Sequence, residues 1–145
     1  MTLRRRALLA APALVIVRPV LATPEAMEAA IRRFTGGAPV GAGRVAIDIA
    51  PLVENGNTVP VTVGVESPMT AAQHVSAIAL FTSRNPQPDV AVFRLGPRSG
   101  RAVVSTRMRL ATSQTVVAVA ELSDGSHWQT NVAVEVTLAA CIEGS

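Results

Sequence analysis

From residue 45 onward, apolar and polar residues alternate with a period of two, which is typical of half-buried β-strands. The clearest run is residues 59–65, in which every second residue is valine. The same pattern occurs in six further segments: residues 45–49, 75–81, 90–95, 102–110, 115–122 and 130–138. Turn-forming pairs separate these segments, among them Asn55-Gly56, Asn85-Pro86 and Asp124-Gly125. Seven short strands at this spacing predict an all-β fold, an immunoglobulin-like antiparallel β-sandwich.

One short helix is predicted ahead of the strands, over residues 24–34. Its apolar residues recur at helical spacing on one face: Met27, Ala30, Ile31 and Phe34. Thr23 suits the N-cap, and Pro24 suits the first turn. Gly36-Gly37 ends the helix, and residues 36–43, rich in glycine and proline, are interpreted as a linker or loop.

Residues 1–22 have the pattern of an export signal. Three arginines at positions 4–6 precede an apolar run over residues 7–17, which is too short to span a bilayer as a helix. Val20 and Ala22 place small residues at the −3 and −1 positions of a cleavage site. Arg5-Arg6 followed by Leu8-Leu9 resembles a twin-arginine signal, although an ordinary secretory signal is the alternative. We therefore expect a periplasmic protein, exported folded.

The basic charge of the chain comes from this leader. The formal net charge is +3, from 13 arginines and ten carboxylates, but four of the arginines lie in residues 1–22. The remaining nine arginines and ten carboxylates give a net charge of −1. No concentrated basic stripe is left, and aromatic residues make up only 3% of the chain, so we expect no nucleic-acid partner.

The 145 residues allow one domain, and few of them suit catalysis. One cysteine and two histidines, His74 and His127, cannot form a cysteine-cluster or three-histidine metal site, so we expect no metal. Both histidines are interpreted as surface or turn residues. No G-x-S-x-G, P-loop or dinucleotide-binding motif occurs. Five arginines cluster around one predicted hairpin and are interpreted as a solvated face, with an anion- or partner-binding surface as the alternative: Arg94, Arg98, Arg101, Arg107 and Arg109.

Cys141, the single cysteine, lies four residues from the end of the sequence, just past the last predicted strand. A thiol there is expected to be exposed on a mobile C-terminal arm. A buried cysteine and an intermolecular disulfide are the alternatives. The only charged side chain beside it is Glu143, which does not favour a thiolate. Without a base of its own, such a thiol suits a group carrier better than a catalyst. Residues 137–145, if extended, reach roughly 30 Å.

Several long segments resemble the SoxY family, the sulfur-carrier subunits of the periplasmic thiosulfate-oxidising Sox system. They are residues 53–61, 65–69, 85–91, 99–111 and 116–125. The resemblance covers almost the whole chain, including the twin-arginine leader and a cysteine near the end. On this basis the chain divides into an export signal (1–22), a helix and linker (23–43), a β-sandwich (44–138) and a carrier arm (139–145).

The resemblance implies a non-enzymatic carrier bound to SoxZ, a second small β-sandwich subunit. Sulfur intermediates derived from thiosulfate or sulfide would be held covalently on Cys141, with no other cofactor. A c-type haem enzyme would conjugate the substrate to that sulfur. A hydrolase would release sulfate, and a dehydrogenase would oxidise the remaining sulfane sulfur.

The arm departs from the family pattern. Family arms end in Gly-Gly-Cys-Gly-Gly, whereas here Ala139 and Ala140 precede the thiol and Ile142 and Glu143 follow it. Glycine gives freedom and a small cross-section, whereas Ile142 is bulky and stiff. The sequence therefore predicts enzyme partners with wider or different channels. The alternatives are a carrier of a different cargo, a SoxY-like structural or assembly module, and a thiol enzyme such as a sulfurtransferase.

Overall fold

The computed structural model of the chain describes residues 22–138. The predicted export signal lies outside this range except for Ala22, and the predicted carrier arm lies wholly outside it. Within this range no helix is both long and apolar enough to cross a membrane.

The predicted helix is confirmed as α1, Pro24–Thr35. The Ala26 N–H donates to Thr23 Oγ1 (3.2 Å), so Thr23 is the N-cap. Gly36 ends the helix in the left-handed conformation, with φ at 64°. The apolar face of α1 packs through Met27 and Ala30 onto the outer face of a β-sheet.

Nine strands and one 3₁₀ turn, Pro97–Ser99, follow within the described residues. The strands are β1 (Val40–Ala42), β2 (Val45–Asp48), β3 (Leu52–Asn55), β4 (Val59–Val65), β5 (Val75–Thr82), β6 (Asp89–Arg94), β7 (Val103–Met108), β8 (Gln114–Leu122) and β9 (His127–Leu138). The larger sheet has the order β1-β9-β8-β5-β6, with β3 also paired to β9. The smaller sheet has the order β2-β4-β7.

These two sheets confirm the predicted β-sandwich. Five strand pairs are antiparallel, as expected: β2–β4, β4–β7, β5–β6, β5–β8 and β8–β9. The sequence pattern missed β1 and β3, and both pair with β9 in parallel. β1 lies inside the segment interpreted as a linker, so part of that segment belongs to the larger sheet.

The main core lies between the two sheets. The inward residues of β4, such as Val61 and Val63, are 2% and 0% exposed and face Ile78 and Leu80 of β5 within one cluster. β5 and β8 are buried on both faces because α1 covers their outer side, where Phe81 and Val119 pack against it. Because α1 covers the outer face of β5, both faces of this strand are buried, and residues 75–81 form an almost continuous apolar run instead of an alternating one.

Candidate functional site

β9 is the strand that leads to the predicted carrier cysteine. Its first part pairs with β8, up to the register partners Gln114 and Val134. β8 begins at Gln114, so residues 135–138, here called the arm base, extend beyond the end of that strand. β3 pairs with the arm base instead, with Leu52 opposite Glu135 and Asn55 opposite Leu138. The arm base is therefore held by different residues from the rest of β9.

Hydrogen bonds along one edge of the arm base attach it to β3 and its flanking residues. The Glu135 N–H donates to the Pro51 carbonyl (2.8 Å), and Thr137 Oγ1 donates to the Glu54 carbonyl (3.2 Å). The Gly56 N–H donates to the Leu138 carbonyl (3.0 Å). The Leu138 carbonyl is thus anchored directly before the predicted carrier arm begins.

Ser113 holds the opposite edge of the arm base. Successive backbone N–H groups of a strand point to opposite edges, so the Val136 N–H points away from β3. It donates to Ser113 Oγ (2.9 Å), and Ser113 Oγ in turn lies 3.4 Å from the Val136 carbonyl. A side-chain hydroxyl therefore occupies the place that β8 would occupy if it were longer. Val136 itself packs against the main core.

The predicted site residues lie outside the described residues: Ala139, Ala140, Cys141, Ile142 and Glu143. Covalent geometry nevertheless limits where the thiol can be. Three residues span at most about 11 Å, so the Cys141 Cα lies within that distance of the Leu138 Cα. The sequence predicted residues 135–138 as part of the last strand, but it did not reveal that β3 and Ser113 hold them. The sequence does contain an indication of this. If β8 and β9 form a hairpin at Asp124-Gly125, pairing the two strands outward from the turn leaves residues 135–138 without a partner in β8.

The surface around the arm base is apolar and acidic. Leu138 is 67% exposed and Leu52 is 58% exposed. Glu54 and Glu135 are exposed beside them.

The interpretation of both histidines as surface or turn residues is wrong for His127. His127 is 6% exposed, and its Nε2 lies 3.3 Å from Glu121 Oε2. Glu121 Oε1 accepts a hydrogen bond from Ser76 Oγ (2.9 Å), and the ring of Phe34 packs edge-on against the imidazole. His127 is buried because α1 covers the start of β9. Within the described residues no group of three or more potential metal ligands occurs.

The clustered arginines lie along the edge formed by β6, the 3₁₀ turn and β7, and all five are exposed. Within residues 22–138, none of them has a carboxylate oxygen within 4.0 Å. Arg109 lies at the end nearer the arm base, because the adjoining Leu110 N–H donates to the Gly56 carbonyl (2.8 Å). The interpretation as a solvated face stays a prediction.

A polar cleft of about 460 Å³ lies at the end of the sandwich where β8 turns into β9. Arg44 and His74 line it together with Glu66 and Asp124. Hydrogen bonds from the Ser126 hydroxyl and N–H hold the pKa of Asp124 below its ordinary value of 3.8. β9 has 12 residues, or roughly 36 Å, so this cleft and the arm base lie at opposite ends of the strand.

Comparison with known proteins agrees with this geometry. The model of the family described as "Sulfur oxidation protein SoxY" matches residues 31–141. The solved structure of the sulfur carrier protein SoxY from Chlorobium limicola f thiosulfatophilum is 30% identical, with a TM-score of 0.66. That match covers 77% of this chain and 92% of the other. No curated protein sequence matches the chain.

More distant structures share the fold alone. The superoxide reductase (neelaredoxin) from Ignicoccus hospitalis is 17% identical with a TM-score of 0.58, and the match covers 80% of this chain and 94% of that one. The superoxide reductase from Nanoarchaeum equitans is 11% identical with a TM-score of 0.55, over 66% of this chain and all of that one.

The sandwich, its anchored last strand and the match to a solved sulfur carrier define a class of protein, the small β-sandwich carriers of sulfur oxidation. Within that class, the chain belongs to the SoxY family.

Proposed function

We propose that this chain is a periplasmic covalent carrier that holds sulfur intermediates derived from thiosulfate or sulfide on Cys141. One observation carries the proposal. The family match ends at residue 141, which is the single cysteine of the sequence, and this residue follows the anchored end of β9 by three positions. The chain itself is not an enzyme, and its partners supply the chemistry.

Loading is an oxidative step. The Cys141 thiolate and thiosulfate form an S–S bond, which gives Cys–S–S–SO₃⁻ and releases two electrons. A c-type haem enzyme accepts those electrons. The cysteine sulfur and the outer sulfur of thiosulfate are oxidised, and the sulfonate group is unchanged.

Release is hydrolytic. Water attacks the sulfonate sulfur of the adduct, the S–SO₃ bond breaks, and sulfate, two protons and the persulfide Cys–S–S⁻ are formed. A sulfane dehydrogenase then oxidises the outer sulfur of the persulfide to a sulfonate, using three water molecules and releasing six protons and six electrons. A second hydrolysis restores the thiol. The carrier needs no cofactor apart from the sulfur adduct on Cys141.

Membership of the SoxY family supports the partners that we propose. We propose that the chain works as a heterodimer with a SoxZ-like β-sandwich subunit and meets the haem enzyme, the hydrolase and the dehydrogenase in turn. The non-glycine arm favours enzymes with wider or different channels. Ile142 adds bulk, and Glu143 adds to the negative charge that Glu54 and Glu135 place at the arm base. A related carrier of a different sulfur cargo is the alternative.

Intact mass spectrometry tests the carrier role directly. The protein is purified from its native cells while they oxidise thiosulfate, and its mass is measured before and after reduction. We expect a reducible thiosulfonate or persulfide adduct on the peptide that contains Cys141. The Cys141→Ser variant serves as the matched control and should carry none. An unmodified thiol in actively oxidising cells, or thiosulfate oxidation that survives Cys141→Ser, would contradict the proposal.

The arm and the export route have tests of their own. Replacing Ala139, Ala140, Ile142 and Glu143 with glycine should speed turnover by enzymes that normally accept a glycine arm, and no gain would count against restricted access. The paired change Arg5→Lys and Arg6→Lys should leave the protein in the cytoplasm if the twin-arginine route is used. Export that continues unchanged would point to the ordinary secretory route.

A further inference from the structure

The arm base differs from the rest of β9 in what holds it. Residues 127–129 lie between β8 and β1, residues 130–134 pair with β8, and residues 135–138 pair with β3 and extend beyond the end of β8. On the other edge the Ser113 hydroxyl is the group that accepts from the Val136 N–H (2.9 Å). Thr137 adds a side-chain bond to the Glu54 carbonyl on the β3 edge (3.2 Å).

A strand end that extends beyond its neighbour would ordinarily fray, because its backbone groups would bond to water. Fraying here would move the origin of the carrier arm, that is, the point at which the chain leaves the sheet. If residues 135–138 left the sheet, seven residues instead of three would separate the last fixed residue, Val134, from Cys141. The greatest distance between the Cα of the last fixed residue and the Cys141 Cα would then rise from about 11 Å to about 25 Å.

We propose that Ser113 and Thr137 are positioning residues for the carrier cysteine. They hold the last residues of β9 in the sheet, and they thereby fix the point from which Cys141 is presented to partner enzymes. This inference rests on the proposed carrier function. It adds a limit on how partners reach the cysteine, because the Cys141 Cα then lies within about 11 Å of the Leu138 Cα in every complex.

The energies involved are those of local hydrogen bonds. Ser113 and Thr137 are both exposed, so each side-chain bond competes with water and contributes at the low end of the usual range. Loss of one such bond changes a local opening equilibrium by roughly two- to fivefold. That change is small against global stability but acts directly on the origin of the arm.

Distance measurement between two spin labels tests the proposal on the mature chain. One nitroxide is attached to Cys141, and the second to Val92→Cys on β6, a partly exposed position of the larger sheet. Ser113→Ala and Thr137→Val are expected to broaden the distance distribution, and the two changes together should broaden it most. Ser113→Thr keeps the hydroxyl and should restore the narrow distribution. Thr62→Val is the control, since it removes an exposed hydrogen bond to Ser105 Oγ (2.8 Å) in the other sheet.

A kinetic measurement separates positioning from chemistry. The persulfide form is treated with cyanide, which takes the outer sulfur as thiocyanate and leaves the thiolate. It is also treated with the dehydrogenase. Cyanide needs no defined arm origin, so its rate should be the same in all variants. The kcat/KM for the dehydrogenase should fall roughly two- to fivefold in Ser113→Ala.

The outcomes distinguish this proposal from the carrier function. Unchanged distance distributions in Ser113→Ala and in the double variant would overturn the positioning role, whatever the cargo. The positioning role would also be overturned if Thr62→Val broadened the distance distributions equally. Broadened distributions together with an unmodified Cys141 in native cells would instead uphold the anchoring of the arm base and overturn the carrier function.

Discussion

Gly41 in β1 lies against the ring of Trp128 in β9, its register partner. A Cβ at this position would lie 2.9 Å from both Cε3 and Cζ3 of the indole, well inside the 3.5–4.0 Å at which carbon atoms pack (about the optimum for dispersion). Gly41→Ala therefore forces either the indole or β1 to move. The indole also carries the Arg44 guanidinium 4.7 Å from its ring centroid, and its N–H donates to Ser126 Oγ (3.1 Å).

The expected cost follows from these contacts. Overpacking of this kind costs about 1–3 kcal/mol, and displacement of the indole adds roughly 0.5–1 kcal/mol from the lost cation–π contact. Reduced freedom of the unfolded chain offsets about 0.4–1 kcal/mol. We expect Gly41→Ala to destabilise the protein by roughly 0.5–3.6 kcal/mol, the sum of those ranges.

Urea unfolding followed by the fluorescence of Trp128, the single tryptophan, is the assay. Gly64→Ala in β4 is the matched control, because there the nearest atom to a new Cβ is Val103 Cγ2 at 3.9 Å, an ordinary contact. That variant should be as stable as the wild type or slightly more stable. In a Trp128→Val background, measured by circular dichroism, Gly41→Ala should cost much less. An equal cost in both backgrounds, or equal stabilities of the two alanine variants, would refute the steric argument.

Two further perturbations test the core and a surface turn. Phe81 of β5 is 2% exposed and packs against α1, so Phe81→Ala should destabilise the protein by about 3–5 kcal/mol in chemical denaturation. Val92→Ala, at a position that is 47% exposed, should destabilise it far less. Asp124 has a lowered pKa, so its bonds to Ser126 stabilise the fold above the ordinary value of 3.8 and are lost as the pH falls through the folded-state value. The stability difference between wild type and Asp124→Asn should therefore shrink between about pH 5 and pH 2, and a constant difference would contradict this account.

Local patterns in the sequence were sufficient for most of the sandwich. The alternation in residues 59–65 requires only that one face of a strand be buried, and β4 has that burial pattern. The helix was likewise defined by its own residues, since Thr23 caps it and Gly36 ends it. The single cysteine and its place after the last apolar run also come from the sequence alone, and they carry the proposed chemistry.

Tertiary structure decided the elements whose partners are distant in sequence. β1 and β3 have three and four residues, none of them fully buried, and they exist as strands because β9 provides their hydrogen-bond partners. Thr137 and Glu54, which are 83 residues apart, meet at the arm base. His127 is buried because α1, from the other end of the described chain, covers it. Residue type and spacing specify neither the Thr137–Glu54 hydrogen bond nor the contact between α1 and His127, because each depends on which segments the folded chain brings together.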